Sequence, residues 1–405
     1  MKLQYQVIIN TTGNVAYLAA QWFLTVLATR FLGYEAVGIL TLAMSVSNVF
    51  TFIQLYGVRN FQGSDVIRQY SSGDYLMSRF ATSLIGLLCC AAFLLRSGYT
   101  VSIVLSIAFY TLFRTSEAVS DVFFGEFQRS GYLEFVGISM FLRSSITVVF
   151  FLIGLKVFQD LNKALLLIVL GATGITLLLD LPLYRRIVKW KPGSVSSCKN
   201  IIRECFPLLL ATLLPSVITT FPRVLLDKYC GSEVLGYYGN VSTPAVIITA
   251  IVPNILAALM PIYGAMSDRK DYVGMRKLWL ETLIGTAAIL IACLLGVLIV
   301  GKPVLAWIYT ESIKPYVVYL YFLMFSTYLY ATTMCNGSVL IALRDNRSVS
   351  RCAVFATAIC VVISFPLVKR EGIPGAIAVL TVSYFMQAVM QAAIILRDTE
   401  MLNDC

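Results

Sequence analysis

The chain has 405 residues, of which 59% are hydrophobic and 13% charged, and its formal net charge is +10. Soluble domains average about 45–50% apolar and about 25% charged residues, so this composition excludes a soluble protein of ordinary size. The chain contains no histidine, which removes the commonest general base and metal ligand. Its ten cysteines are scattered without paired spacing, so neither disulfides nor a metal site is expected.

Apolar runs bounded by charges and turn residues predict an all-α membrane protein with twelve transmembrane helices. A helix needs about 20 residues to cross roughly 30 Å of hydrocarbon. The first run is long and no small-residue cleavage pattern follows it, so it is expected to stay in the mature chain. The predicted spans lie near residues 11–30, 36–57, 80–95, 100–122, 133–155, 164–184, 205–226, 235–260, 279–300, 315–342, 350–368 and 373–396.

The distribution of cations predicts which helix ends face the cytoplasm. If the N-terminus is cytoplasmic, the inner segments hold 19 lysines and arginines and the outer segments hold ten. The positive-inside rule therefore places both termini in the cytoplasm. The net charge of +10 then arises from basic inner loops that face anionic lipid, and no nucleic-acid partner is expected.

Two short motifs occur twice. RFLGYEAVG (30–38) returns as KYCGSEVLG (228–236), 198 residues later, and DYLMSR (74–79) returns as DYVGMR (271–276), 197 residues later. The agreement of the two offsets predicts a duplicated six-helix unit, with the two repeats parallel around a central cavity. The predicted organisation is an N-lobe of six helices, a basic cytoplasmic linker, a C-lobe of six helices and a cytoplasmic tail, over residues 1–185, 186–203, 204–397 and 398–405.

Ionisable residues inside the spans are candidate functional positions, because a charge in hydrocarbon is costly unless it faces protein or water. Arg114, Glu117 and Asp121 share one face of the fourth span. Arg143 of the fifth span lies at a depth close to that of Arg114 when the two spans form a hairpin. Two interpretations stay open: the arginines clamp a phosphate from a cavity wall, or they form structural ion pairs with Glu117 or Asp121.

Further candidates lie along the same predicted cavity. Arg30 and Arg223 end the first and seventh spans, where they either line the cavity mouth or anchor the helices in the headgroup region. Asn14, Asn48 and Asn240 either bind sugar hydroxyls or hold helices together. Asp180, with Glu117 and Asp121, forms a candidate ion or charge network. No catalytic residue, metal or cofactor is expected, and there is no G-x-x-x-x-G-K-[ST] nucleotide-binding loop.

The stretches NTTGNVAYLAAQWFLTVLATRFLGYEAVG (10–38) and GVRNFQGSDVIRQY (57–70), with the D-Y-x-x-x-R loops and the twelve-span layout, carry a family resemblance. The chain resembles the Wzx polysaccharide flippases of the multidrug, oligosaccharidyl-lipid and polysaccharide exporter superfamily. That resemblance implies a non-enzymatic transporter in the bacterial cytoplasmic membrane. Its implied cargo is an undecaprenyl-diphosphate-linked oligosaccharide repeat unit for O-antigen, capsule or exopolysaccharide, and its implied partners are membrane lipids, a polymerase and glycosyltransferases. A cation-lined cavity is also implied, and Arg30 and Arg223 match it.

Three alternatives stay open. A cation-coupled multidrug antiporter of the same superfamily needs membrane carboxylates as ion sites; the first span has none, but Glu117, Asp121 and Asp180 are available. A polysaccharide polymerase or membrane glycosyltransferase usually carries a large outer loop or a soluble domain, which the span pattern does not predict. Flippases for lipid II or teichoic-acid precursors differ only in cargo.

Overall fold

The computed structural model describes residues 2–65, 67–188 and 191–403, and no β-strand occurs in these ranges. Lys189 and Trp190 of the predicted linker and the last two residues of the predicted tail lie outside the described residues. The helices of the first half are α1 (Lys2–Leu32), α2 (Tyr34–Leu55), α3 (Val58–Ser64), α4 (Ser72–Ser97), α5 (Val101–Arg129), α6 (Leu133–Phe158), α7 (Leu161–Ile175) and α8 (Leu181–Ile187). Those of the second half are α9 (Val195–Cys230), α10 (Ser232–Ser242), α11 (Val246–Asp268), α12 (Tyr272–Gly296), α13 (Lys302–Ile308), α14 (Val318–Ala342), α15 (Asn346–Glu371) and α16 (Ile373–Asn403).

Three short segments have tighter or wider helical turns. π-helical turns at Thr176–Asp180 and Val297–Gly301 join α7 to α8 and α12 to α13, and a 3₁₀ segment at Glu311–Val317 leads into α14. Each joined pair therefore forms one continuous helical rod. The wider turn of the π-helix also changes which side chains share a face, a feature that often occurs at functional positions.

In the described part of the chain, ten helical rods are long and apolar enough to cross a membrane, so the protein is a multi-pass membrane protein. They are Gln4–Leu32, Tyr34–Gly63, Ser72–Ser97, Leu133–Phe158, Leu161–Ile187, Val195–Cys230, Tyr272–Ile308, Glu311–Ala342, Asn346–Glu371 and Ile373–Glu400. Two of the twelve predicted spans are not among them. The span near 100–122 lies in α5, whose charged residues lower its mean hydropathy. The span expected as one helix over 235–260 was wrong: a turn that contains Pro244, which has no backbone N–H, separates α10 from α11.

The repeated glycine turn has the same local geometry at both positions. Gly33 has φ 85° and ψ −176° and precedes α2, and Gly231 has φ 88° and ψ 163° and precedes α10. Glycine is essentially the only residue that adopts this region without strain. Glu35 and Glu233 lie in the first turn of the helix that follows, where a carboxylate interacts favourably with the helix dipole. The motif therefore encodes one glycine-started helix twice, while duplication of the whole lobe stays a prediction.

The chain divides into two compact units, and the first spans Met1–Ser216. Helix α1 packs closely on α6 because both carry glycine at the crossing: a Cβ on Gly13 would lie 2.2 Å from the carbonyl oxygen of Gly137. Helices α2 and α5 are joined by Ser47 and Thr111, whose hydroxyl oxygens are 2.8 Å apart. An aromatic core cluster contains Phe123, Phe124, Phe127, Val136 and Tyr184. These contacts hold α5 between its neighbours and fix the direction of its charged side chains.

The segment between α3 and α4 is organised around the carboxylate of Asp65. It accepts hydrogen bonds from the backbone N–H groups of Gln69 and Tyr70, at 2.8 and 3.2 Å, from the Tyr75 hydroxyl at 2.9 Å and from Arg129 at 3.3 Å. Burial raises the pKa of Asp65, but these donors outweigh it and lower the pKa below its usual value. Burial, followed by the hydrogen bond to Glu204, raises the pKa of Tyr70. The segment is thus fastened to α5 and to the first turns of α9.

The second unit, Val217–Cys405, has a core cluster of Tyr263, Met275, Trp279, Val339, Leu340 and Ile395. Within it, α14 packs on α11, α12 and α16, and α15 packs on α16. The Trp279 indole N–H donates to the Asn336 side-chain oxygen at 2.8 Å, and the Asn336 amide donates to the carbonyl of Ala388 at 3.0 Å. This chain of bonds ties α12, α14 and α16 together, which is the helix-joining role that polar side chains have in membranes.

Candidate functional site

The first cluster of charges lies where α2, α4 and α5 meet, and its centre is Asp121. Arg79 donates to Asp121 Oδ2 at 2.8 Å and to the carbonyl of Gln54 at 2.5 Å, and its side chain is fully buried. Arg59 contacts the other oxygen of Asp121 at 3.3 Å, and its side chain is 30% exposed. One carboxylate therefore serves two guanidinium groups, and the cluster keeps a net positive charge.

The second cluster surrounds Arg143 of α6. Its guanidinium donates to Asp180 at 3.1 Å, to the hydroxyls of Ser120 at 2.6 Å and Thr176 at 3.0 Å, and to Ser116 at 3.3 Å. The side chains of Arg143 and Asp180 are 1% and 0% exposed. Thr176 and Asp180 belong to the π-helical turn, which presents both toward Arg143. The result is an enclosed ion pair lined with hydroxyl groups.

The third cluster joins α5 to α1. Arg114 forms an ion pair with Glu117 one turn later and donates to the Tyr17 hydroxyl at 2.5 Å. The Tyr17 hydroxyl donates to Glu117 at 2.9 Å, and one turn away the Tyr110 hydroxyl donates to Gln21 at 2.6 Å. Because Arg114 and Glu117 are 19% and 14% exposed, this triad is more accessible than the pair at Arg143.

The remaining candidates of the first unit lie at exposed positions. Arg30 is exposed in the last turn of α1, where a cation interacts favourably with the negative end of the helix dipole. Asn14 is exposed and donates to the carbonyl of Asn10 at 2.8 Å, and Asn48 is exposed on α2. Their exposure is compatible with a contact to ligand or to lipid.

In the second unit, Arg223 of α9 follows Pro222, and its guanidinium lies 5.6 Å from the ring centroid of Tyr238. Arg223 is half-buried, whereas Tyr238 and Asn240, both on α10, are buried. A cation over an aromatic face keeps its charge available to an anion while the ring fixes its position. Arg223 is therefore the candidate anion-binding residue of this unit, because the Tyr238 ring fixes the position of its guanidinium.

The structure separates residues that the sequence analysis grouped. Arg143 pairs with Asp180 rather than with Glu117 or Asp121, so the ion-pair partners expected for Arg143 were wrong. The ion pair expected between Arg114 and Glu117 is present. Asp121 pairs with Arg79 and Arg59, and Glu117 pairs with Arg114. The clamp of one phosphate by Arg114 and Arg143 is not favoured by this arrangement, because the two guanidiniums have different partners and Arg143 is enclosed.

Arg59 and Arg79 were not predicted as site residues, because both lie in segments that were expected to form cytoplasmic loops. A signal for Arg79 was present, because it is the last residue of the repeated D-Y-x-x-x-R motif. In the described residues, no group of three or more histidine, cysteine, aspartate or glutamate side chains is arranged to hold a metal ion.

Among proteins of known structure, the chain is similar to an inward-facing multidrug resistance MATE family transporter of the MOP superfamily. The TM-score is 0.70 at 16% identity, covering 100% of this chain and 98% of that one. It is also similar to a mutant form of the Vibrio cholerae MATE transporter VcmN, with a TM-score of 0.64 at 13% identity over 99% and 97% of the two chains. A MOP superfamily transporter from Pyrococcus furiosus gives a TM-score of 0.59 at 14% identity over 99% and 95%. The fold is therefore similar to that of these transporters.

Among proteins of known sequence, the capsular polysaccharide biosynthesis protein CapF of Staphylococcus aureus is 22% identical over 335 residues. The match covers 79% of this chain and 81% of CapF. The model of the polysaccharide biosynthesis protein family matches residues 5–267, which is more than half of the chain. The resemblance to the polysaccharide flippases of this superfamily is thereby confirmed, and the chain belongs to the polysaccharide biosynthesis protein family.

Proposed function

We propose that this protein moves undecaprenyl-diphosphate-linked oligosaccharide repeat units from the inner to the outer leaflet of the bacterial cytoplasmic membrane. The cargo serves O-antigen, capsule or exopolysaccharide assembly. The observation that carries the proposal is the match to the polysaccharide biosynthesis protein family on a chain with ten candidate membrane helices. The relative CapF, a capsular polysaccharide biosynthesis protein, supports the same class of cargo.

The diphosphate of the proposed cargo is anionic, which gives a reason for arginines along its path. A diphosphate and its sugars cannot cross hydrocarbon without losing their water, which costs tens of kcal/mol for bare charge. Arginine replaces that water with planar, bidentate donors that match phosphate. Arg30 and Arg223, one in each unit, are the candidates for this role, with Arg114 and the exposed asparagines Asn14 and Asn48 as further contacts. Asn240 is fully buried, so it fits the helix-joining role. Both termini lie in the cytoplasm in this scheme, and the cargo crosses by alternating access of two lobes.

In this proposal the protein transports its cargo and does not catalyse a reaction. An inside-negative membrane potential favours outward movement of an anion by about 2.3 kcal/mol per charge per 100 mV, so no nucleotide is needed in principle. Glycosyltransferases act before the transporter and a polymerase acts after it. The flippases for lipid II and teichoic-acid precursors share this chemistry and differ in the sugars recognised.

The direct test is deletion of the gene in its host, followed by complementation. We expect loss of surface polysaccharide and accumulation of the lipid-linked repeat unit on the inner leaflet, both restored by the wild-type gene. Arg30→Ala and Arg223→Ala should each fail to restore export at normal protein level. Arg96→Ala, which removes an exposed arginine at the end of α4, serves as the matched control and should restore it. Normal surface polysaccharide in the deletion strain would refute the function.

A cation-coupled multidrug antiporter is the second candidate, because the fold is that of MATE transporters. It predicts that the deletion strain becomes sensitive to cationic drugs while surface polysaccharide is unchanged. In that case Glu117, Asp121 and Asp180 are the carboxylates to replace. Drug susceptibility, measured with and without a sodium gradient in the same strains, distinguishes the two functions.

A further inference from the structure

A pocket of about 300 Å³ opens in the first unit at the end of α2. Its lining residues come from α2, α3, α5 and α9 and the turn at Gly57: Phe52, Leu55, Gly57, Arg59, Asn60, Asp121, Gln128 and Thr212. The volume is at the small end of the range for ligand pockets, about 300–1,000 Å³. The basic segments after α2 are expected to face the cytoplasm, so this pocket is expected to open toward the inner leaflet.

The pocket has an uneven distribution of charge. Arg79 is fully buried and holds Asp121 at 2.8 Å, so the carboxylate is already neutralised from within the protein. Arg59 makes a longer contact of 3.3 Å with the same carboxylate and is 30% exposed. The Phe124 ring centroid, 5.7 Å from the Arg59 guanidinium, helps to fix its position. A ligand in the pocket thus meets the guanidinium of Arg59 together with the Asp121 carboxylate, which is 17% exposed and already paired with Arg79.

The other lining groups suit an amphiphilic ligand. Asn60 and Gln128 are exposed amides, and Thr212 adds a hydroxyl. Amides and hydroxyls both donate to and accept from sugar hydroxyls. Phe52 and Leu55 form an apolar wall beside them, which fits the first carbons of a lipid tail. A guanidinium, two amides and an apolar wall in one pocket together match a lipid-linked phosphate that bears sugar.

We propose that this pocket is a docking subsite for the phosphate of the lipid-linked headgroup, in which Arg59 exchanges Asp121 for phosphate. Arg79 acts as a positioning residue, because its guanidinium stays paired with the Asp121 carboxylate while Arg59 contacts the phosphate. The subsite rests on the proposed function and names a contact point for its cargo outside Arg30 and Arg223. Free phosphate shares the same chemistry, so the test must separate the two sources.

The test measures binding to purified full-length protein in phosphatidylcholine nanodiscs. The probes are geranylgeranyl diphosphate, the uncharged alcohol geranylgeraniol and inorganic diphosphate. We expect geranylgeranyl diphosphate to bind at least about ten times more tightly than either of the others, since it alone uses both the arginine and the apolar wall. Arg59→Gln should weaken its binding by about tenfold or more, the usual effect of losing a hydrogen bond to a charged group.

Two further variants keep the result interpretable. Arg185→Gln removes an exposed arginine of the same unit, on the same predicted membrane side, and should change binding less than about twofold. The double variant Asn60→Ala/Gln128→Ala changes exposed side chains only, so it should fold normally, and we expect weaker binding of a glycosylated polyprenyl diphosphate. Wild-type affinity in Arg59→Gln, or an equal loss in Arg185→Gln, overturns the subsite.

Inorganic diphosphate binding as tightly as geranylgeranyl diphosphate would instead identify a free-anion site and overturn the lipid assignment. Failure of the subsite proposal can be distinguished from failure of the transport proposal. If deletion of the gene abolishes surface polysaccharide while Arg59→Gln binds normally, the transport proposal stands and the subsite falls. If deletion has no effect on surface polysaccharide, the transport proposal falls whatever the pocket binds.

Discussion

Replacing Asp180 by asparagine removes the carboxylate that Arg143 contacts at 3.1 Å, without changing the size of the side chain. Both side chains are almost completely buried, so the variant leaves an uncompensated charge inside the protein. Breaking a buried ion pair from one side typically costs about 3–5 kcal/mol. We expect Asp180→Asn and Arg143→Gln each to lower protein level and thermal stability strongly, and export to fall with them.

The double variant Arg143→Gln/Asp180→Asn distinguishes a structural role of the ion pair from a role of Arg143 in phosphate binding. It removes both charges and leaves two amides among the hydroxyls of Ser120 and Thr176, which contact Arg143 at 2.6 and 3.0 Å. Replacing a buried pair by neutral groups is often close to neutral for stability. We therefore expect the double variant to be more stable than either single variant, which is a favourable coupling between neighbouring residues.

The assay is the midpoint of thermal aggregation of detergent-purified protein, read by size-exclusion chromatography, with surface polysaccharide measured in the same strains. Recovery of both stability and export in the double variant indicates a structural pair. A double variant that is stable yet exports nothing would refute this reasoning and return Arg143 to the phosphate-binding candidates. Single variants that melt like wild type would refute the buried pair itself.

Two other predictions concern local structure. Gly33→Ala and Gly231→Ala place a side chain at φ 85° and 88°, and each should lower the free energy of unfolding by about 1–3 kcal/mol. The control Gly285→Ala lies at an exposed helical position with open space around it, so it should be neutral or stabilising in the same melting assay. Equal effects of all three substitutions would contradict the turn geometry. Asp65→Asn should lower the stability at pH 7 by about 1–3 kcal/mol, because four donors lose a charged acceptor. Since the folded pKa of Asp65 is lowered, its contribution is complete above the unfolded value of about 4 and is lost as pH falls through the folded pKa. The stability difference between wild type and Asp65→Asn should therefore narrow below about pH 4, and a constant difference would contradict the role of the carboxylate.

Features that depend on nearby residues were predictable from the sequence. Most helices follow from apolar runs, because a membrane helix satisfies its own backbone hydrogen bonds and needs only sufficient length. The repeated turn was found as G-x-E spacing, and its two glycines have nearly the same φ. The turn at Pro244 was not predicted, because the apolar run over residues 235–260 continues on both sides of this proline.

The partners of the charges were not predictable in the same way. Helical spacing places Arg114, Glu117 and Asp121 on one face, but it does not show which neighbouring helix covers each turn of that face. The structure pairs Glu117 with Arg114 and Tyr17, and Asp121 with Arg79 and Arg59. Each of these partners outside α5 is at least 42 residues away along the chain, so the pairing depends on how the helices pack.

The sequence by itself determined that this is a multi-pass helical membrane protein of the polysaccharide biosynthesis protein family, because hydropathy, turn chemistry and family motifs are local properties. Only the tertiary structure decided that Arg143 is neutralised by Asp180 and that Arg59 faces a pocket beside an already satisfied Asp121. The physical reason is that a charge in a low-dielectric interior is governed by what lies within a few ångströms of it. Those neighbours come from helices that the chain brings together only by folding.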